Sequence, residues 1–72
     1  MSGYRSQVEL IVRSVMREFG IGADVRRIAL FVNEWKIEIA DIDGTRRMLT
    51  VVDSSPQHMR RSVMAALDVE VW

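Results

Sequence analysis

The sequence predicts an α+β fold with two layers, in which an antiparallel three-stranded meander carries both helices on one face. Apolar residues recur at helical spacing near both ends of the chain, β-rich segments lie between them, and turn residues separate the segments. The predicted order is therefore α-β-β-β-α. The alternating tail, residues 68–72, allows a short C-terminal fourth strand or a position for Trp72 over the core. With no linker, repeat or low-complexity tract, residues 1–72 are predicted to form one small domain.

The first helix is predicted over residues 6–19, because the apolar residues there cover an arc of about 140° on a helical wheel. Ser6 followed by Glu9 has the form of a capping box, although the helix can also begin nearer Ser2. Gly20 suits the left-handed residue that ends a helix. The buried stripe is expected to consist of Val8, Ile11, Val12, Val15, Met16 and Phe19.

Two β-rich segments, residues 25–33 and 35–42, are predicted to form a hairpin. Asn33 and Glu34 can join them as a two-residue turn, because Asn tolerates a positive φ. This register would put three pairs on the core face: Val32 with Trp35, Leu30 with Ile37, and Ile28 with Ile39.

The second turn, Asp41 to Gly44, suits a type I turn followed by a left-handed glycine, which makes a three-residue loop. We expect this loop because it places the branched side chains of Leu49 and Val51 on the core face of a third strand, residues 46–52. The alternative, a two-residue Asp-Gly turn, would instead turn the other set inward: Met48, Thr50 and Val52.

A second helix is predicted over residues 56–67, with Ser55 as its N-cap and Pro56 in its first position. Its buried stripe is expected to be Met59, Val63, Ala66 and Leu67.

The order of these elements is similar to that of double-stranded-RNA-binding domains. Members of that family carry a Lys-rich patch at the start of the second helix and a Gly-Pro-His loop between the first strands. Here the corresponding segments are His58-Met59-Arg60-Arg61 and Asn33-Glu34, so the similarity is limited to topology. Small phage-encoded inhibitors show the same order, and topology alone leaves the function open.

Composition narrows the function classes. Ten basic and ten acidic side chains sum to zero, which disfavours a strongly basic nucleic-acid binder. The absence of cysteine excludes disulfides and thiolate metal sites. No segment approaches the roughly 20 apolar residues of a membrane span, and no signal-peptide core is present, so a cytoplasmic protein without membrane association is expected.

The sequence contains no arrangement that indicates catalysis. His58 is the only histidine, and no Cys or Ser-His-Asp pattern accompanies it. Asp41-x-Asp43-Gly44 begins like a calcium loop, but the arginines that follow would repel a cation. We therefore expect a non-enzymatic protein with no catalytic residues, no cofactor and no metal.

The sheet face away from the helices is the leading candidate interface. It is predicted to carry Ala29, Phe31, Ala40, Met48, Thr50 and Val52 around Lys36 and Glu38. A contiguous apolar patch usually marks an interaction site, and a 72-residue chain can bury only a limited core. The expected function is a protein–protein interaction or regulatory module, self-associating as a homodimer or binding another protein. Its candidate residues are the anchors Phe31, Met48 and Val52 and the polar rim Arg27, Arg46 and Arg47.

Six of the nine arginines form three adjacent pairs, at 26–27, 46–47 and 60–61. In the simplest interpretation they pair with nearby carboxylates on the rim of the sheet. In an alternative interpretation, a candidate anion site forms at the start of the second helix. A nucleic-acid-binding module that uses the arginine pairs is the competing function class, and a small phage-type inhibitor is a further alternative. The candidate anion-site residues are Ser54, Ser55, His58, Arg60 and Arg61.

Overall fold

The computed structural model describes residues 3–69 and contains two helices and three strands in the predicted order. The strands form one antiparallel meander in the order β1-β2-β3. The predicted fourth strand and the position of Trp72 involve residues 70–72, which lie outside the described residues. The element bounds are α1 Gly3–Glu18, β1 Asp24–Phe31, β2 Glu34–Ala40, β3 Arg46–Val52 and α2 Pro56–Ala66.

Both helices pack on the same face of the sheet. Helix α1 contacts β1 and α2, and α2 contacts β3, so the core lies in one layer between helices and strands. This layer buries the predicted stripes, apart from a few partly exposed members, and no polar or charged side chain among the described residues is buried in it. The sheet contributes Ile28, Trp35, Ile37, Ile39, Leu49 and Val51, and the helices contribute Val8, Val12, Val15, Met16, Met59 and Val63.

Helix α1 begins earlier than the capping-box pattern predicts. It starts by Gly3, so Ser6 lies inside the helix and the Ser6-Glu9 capping box is wrong. Its end is as predicted, because Gly20 has a φ of 68°. The Ile21 N–H donates to the carbonyl of Met16 at 2.8 Å and the Gly20 N–H to that of Arg17 at 3.3 Å, the pattern of a Schellman cap.

The first hairpin has a different turn from the predicted one. Val32 and Asn33 form the two-residue loop, and Leu30 rather than Val32 pairs with Trp35. The predicted register is therefore wrong by two residues. Ile28 and the β2 residues Trp35, Ile37 and Ile39 still lie in the core, whereas Leu30, predicted there too, is 47% exposed. Val32 consequently lies outside the core, 98% exposed and with a φ of 59°, which is unusual for a β-branched residue.

A bulge in β1 separates the two ends of this hairpin. Val25 pairs with Ile39 and Arg27 with Glu38, which leaves Arg26 as the extra residue. Because of this extra residue, the side chain of Val25 points to the covered side of the sheet, where it packs against the core. The bulge also places a charged residue in the unpaired edge of β1. Bulges and charges on an edge strand hinder its pairing with a strand of another molecule.

The second turn and α2 follow the predictions. Gly44 has a φ of 89°, and the Asp41 N–H donates to the Thr45 carbonyl at 2.8 Å, which closes a three-residue loop. The Thr45 N–H donates to the Asp43 carboxylate and lowers its pKa below the usual value. Leu49 pairs with Ile37 and Val51 with Trp35, as predicted.

Helix α2 begins at Pro56 and is capped by Ser55, whose hydroxyl accepts from the His58 N–H at 3.3 Å. Met59, Val63 and Leu67 are buried in the core, as predicted, and Ala66 packs against it.

Candidate interaction surfaces

No element among residues 3–69 covers the second face of the sheet, which we call the open face. Strand β2 runs along its middle with the outward residues Glu34, Lys36 and Glu38. These side chains alternate in charge, so the centre of the open face is polar rather than apolar. The outward neighbours on β1 are Arg27, Ala29 and Phe31, and those on β3 are Arg46, Met48, Thr50 and Val52.

Apolar side chains flank this charged stripe. Phe31 and Val52 stand on either side of Glu34, and Met48 stands beside Glu38. Phe31 and Met48 are each 59% exposed and Val52 is 46% exposed. The three proposed anchors thus lie on one face, but the charged residues of β2 separate Phe31 from the other two, and Thr50 lies between Met48 and Val52. The predicted patch is therefore a mixed surface with apolar margins.

A shallow depression of about 210 Å³ lies in the open face over the small side chain of Ala29. Phe31 and Met48 supply its apolar walls, while Arg27, Lys36 and Glu38 supply charges of both signs. The open face thus combines an exposed aromatic ring with a depression partly lined by apolar groups, a combination suited to contact with another protein.

The polar rim is only partly on this face. Arg27 lies opposite Glu38 and lines the depression, and Arg46 lies opposite Ala40 and pairs with Glu38 at 3.3 Å. Arg47 follows the inward parity of β3 and pairs with Asp41 at 3.8 Å beside the second turn. The structure therefore brings Arg27 and Arg46 together with the anchors and leaves Arg47 outside that surface.

Carboxylates neutralise most of the arginine pairs. This arrangement agrees with the interpretation of the pairs as surface ion pairs, and it disperses the positive charge over the molecule. Of these six arginines, Arg27 and Arg61 have no ion pair within residues 3–69. The partners are Asp24 for Arg26, Glu38 for Arg46, Asp41 for Arg47 and Glu18 for Arg60.

The hydroxyls of the candidate anion site have partners within the chain. Ser54 donates to the carbonyl of Val52 at 3.1 Å, and Ser55 is occupied by capping α2. Arg60 reaches Glu18 of α1 instead of the helix start. Exposed His58 lies in the first turn of α2. The residues are close in sequence, but their side chains do not converge on a common point.

The two helices form a second surface that the sequence predictions did not include. Two adjacent depressions of about 320 and 670 Å³ share Gln57 and Arg60; residues of both helices line the smaller one, whereas α2 and Val69 alone line the larger one. We call them together the interhelix groove. The lining residues are Gln7, Leu10, Ile11, Ser14 and Pro56 in the first depression, Arg61, Met64, Ala65 and Val69 in the second, and Gln57 and Arg60 in both.

One signal in the sequence points to this groove. Leu10 falls outside the buried stripe of α1, and the structure leaves it 67% exposed. Met64 and Ala65 in α2 add apolar surface and lie outside the predicted buried stripe of that helix; Met64 is partly buried and Ala65 is exposed.

Within residues 3–69, no three side chains of the metal-binding types come together as a candidate metal site. The same residues contain no helix with the length and apolar character of a membrane span.

Comparisons with protein-family models, with curated proteins and with solved structures find no match for this chain.

Proposed function

We propose that this protein is a non-enzymatic interaction module that self-associates through the open face of its sheet. The observation that carries the proposal is an uncovered sheet face bearing three exposed apolar side chains together with charges of both signs. A two-fold interface applies the same patch on both copies, so a patch that can complement itself favours self-association.

The charges of the open face are suited to an antiparallel two-fold arrangement. One end of the face carries Glu34, and the other carries Arg27 and Arg46 beside Glu38. When two copies stack open face to open face with their β2 strands antiparallel, Lys36 of one copy lies against Glu38 of the other. Glu34 of each copy then lies near Arg46 of the other. The apolar margins then come into contact with the second sheet, which removes Phe31, Met48 and Val52 from water.

The size of the face predicts a weak dimer. Seven-residue strands extend about 23 Å, and the outer strands lie roughly 10 Å apart. The area between the axes of the outer strands is therefore roughly 230 Å². This is well below the roughly 800 Å² per partner of a standard-size interface and falls in the range of weak, transient contacts. We expect reversible association in the micromolar range, enough for assembly when the protein is concentrated or held on a larger partner.

Sedimentation equilibrium of charge-reversal variants tests this arrangement. Lys36→Glu and Glu38→Lys should each remain monomeric at concentrations at which the parent protein dimerises, because each opposes like charges twice across the interface. An equimolar mixture of the two variants should dimerise again, because every reversed charge then faces its opposite.

The matched control is Leu10→Asp, which changes an exposed apolar residue on the helix side and should leave the dimer intact. A parent chain that is monomeric at high micromolar concentration would contradict the proposal. So would a mixture of the two variants that fails to associate while each variant retains its fold by circular dichroism.

Nucleic-acid binding is the competing proposal, and the ion pairs of the arginines weigh against it. Three of the four arginines in the two sheet pairs, Arg26, Arg46 and Arg47, are already matched with carboxylates, so little unmatched positive charge for phosphate binding remains on the sheet. Binding to duplex RNA or DNA at low salt, lost on replacing Arg60 and Arg61 with Ala, would favour that class instead.

A further inference from the structure

We infer that the interhelix groove binds an acidic amphipathic helix of another protein. This surface lies on the opposite side of the molecule from the open face, so the inference is independent of self-association. It rests on the shape of the groove, its exposed apolar residues and the sign of the charge around it.

The groove offers apolar contact along the length of α2, and α1 contributes at one end. Leu10 and Ile11 of α1 line the smaller depression, whereas Met64 and Ala65 of α2 and Val69 line the larger one. From residue 56 to residue 65, α2 rises about 14 Å, which matches roughly two and a half turns of a third helix. Apolar side chains at positions i, i+4 and i+7 of that helix would reach both depressions.

The charge of the helix layer is positive. Helices α1 and α2 together contain five arginines and two glutamates, and α2 contains no acidic residue. The groove lining includes Arg60 and Arg61 and no carboxylate. Although the whole chain is neutral, the charge facing a partner at this site is therefore positive, which selects an acidic segment.

Arg60 is placed to take part in such a contact. It lines both depressions, and its Nη2 donates to the Glu18 carboxylate at the end of α1. A guanidinium has five N–H donors, so this ion pair orients Arg60 while leaving donors for a second carboxylate. Glu18 also competes with that carboxylate, because both are attracted to the same cation.

The probe is a synthetic helix of about 14 residues with Leu at i, i+4 and i+7 and Glu at most other positions. Its affinity for the full chain is measured by isothermal titration calorimetry at low salt. The comparison peptides keep the Leu residues but replace Glu with Lys, or keep Glu but replace Leu with Ala. Of the three peptides, we expect only the acidic amphipathic one to bind, and its affinity should fall when salt is added.

Variants locate the binding site. Replacing both Arg60 and Arg61 with Ala should weaken binding by about tenfold, the sum of two partly exposed charge contacts. Leu10→Asp should abolish it, because it places a carboxylate in the apolar lining, where it repels the acidic peptide. Glu18→Gln should strengthen binding by about two- to threefold, because it removes the competing carboxylate and keeps both arginines.

Phe31→Asp is the matched control and should leave peptide affinity unchanged, because it lies on the open face. Equal binding of the Lys peptide, or loss of binding in Phe31→Asp, would overturn the inference. Absence of peptide binding accompanied by arginine-dependent binding of duplex RNA would overturn it in favour of a nucleic-acid surface. Displacement of the peptide by a second copy of the chain would assign the groove to self-association.

Discussion

The two faces of strand β2 differ in both burial and charge. Trp35, Ile37 and Ile39 point into the helix-covered face and are buried, whereas Glu34, Lys36 and Glu38 point outward. The covered face determines the fold, because almost all of the strand's apolar contact lies there. The open face is more exposed, so we expect it to contribute little to folding, and its charges and exposed apolar groups are available for the proposed interface.

Truncation of one residue on each face gives the sharpest contrast in stability. Ile37→Ala removes a fully buried side chain at the centre of the sheet and should lower the free energy of unfolding by about 3 kcal/mol. Lys36→Ala, its neighbour on the open face, should change it by less than about 0.5 kcal/mol. Urea denaturation at low protein concentration measures both values. Similar losses would show that the open face also supports the fold.

The covered face has a polar contact at its margin, and breaking it should have the next largest effect. The indole N–H of buried Trp35 donates to the Asp53 carboxylate at 3.0 Å. Asp53→Ala should lower the free energy of unfolding by about 1–2 kcal/mol, because the donor loses its partner. Asp53→Asn keeps an acceptor and should lose less. Equal losses in the two variants would indicate that the charge, and not the hydrogen bond, matters.

The turn at Val32 and Asn33 connects β1 to β2. Because a positive φ strains a β-branched residue, Val32→Gly should raise the free energy of unfolding by about 1 kcal/mol. Asn33→Gly, the matched control, should not produce this gain. Thermal and urea unfolding report the difference, and destabilisation by Val32→Gly would contradict the observed turn.

The smallest effect is expected for an ion pair on the open face. Glu38→Gln removes the carboxylate that pairs with exposed Arg46 and should change the free energy of unfolding of the monomer by at most about 0.5 kcal/mol. The difference should disappear in 1 M salt, where the Debye length is about 3 Å. A larger loss that persists at high salt would mean that Glu38 stabilises the fold by something other than exposed charge.

The sequence predicts the covered face better than the first turn for a physical reason. A shift of the first hairpin by two residues keeps the same side chains on the core face, so alternation cannot distinguish the two registers. Only turn chemistry could do so, and Asn33-Glu34 looked more suitable than a turn with Val32 at a positive φ. The second hairpin was predictable because Gly44 and the branched residues of β3 favour the same loop.

The candidate surfaces were predictable only in part. The strand alternation places Phe31, Met48 and Val52 outward in either register of the first hairpin. The observed turn lies one residue earlier than the predicted one, so Glu34 joins β2 on the open face and completes its charged stripe. The interhelix groove depends on how α1 and α2 lie against each other. Helical spacing identifies which residues share a face and does not give that angle.

The proposed self-association through the open face is tested most directly by dilution in solution NMR. Methyl signals are followed from high to low micromolar concentration in the parent chain. We predict that the methyls of Met48 and Val52 shift progressively on dilution, whereas those of Leu10 on the helix layer and Ile42 in the second turn stay fixed. Methyl shifts that are independent of concentration, or that change at Leu10 while Met48 and Val52 remain constant, would contradict the proposed interface.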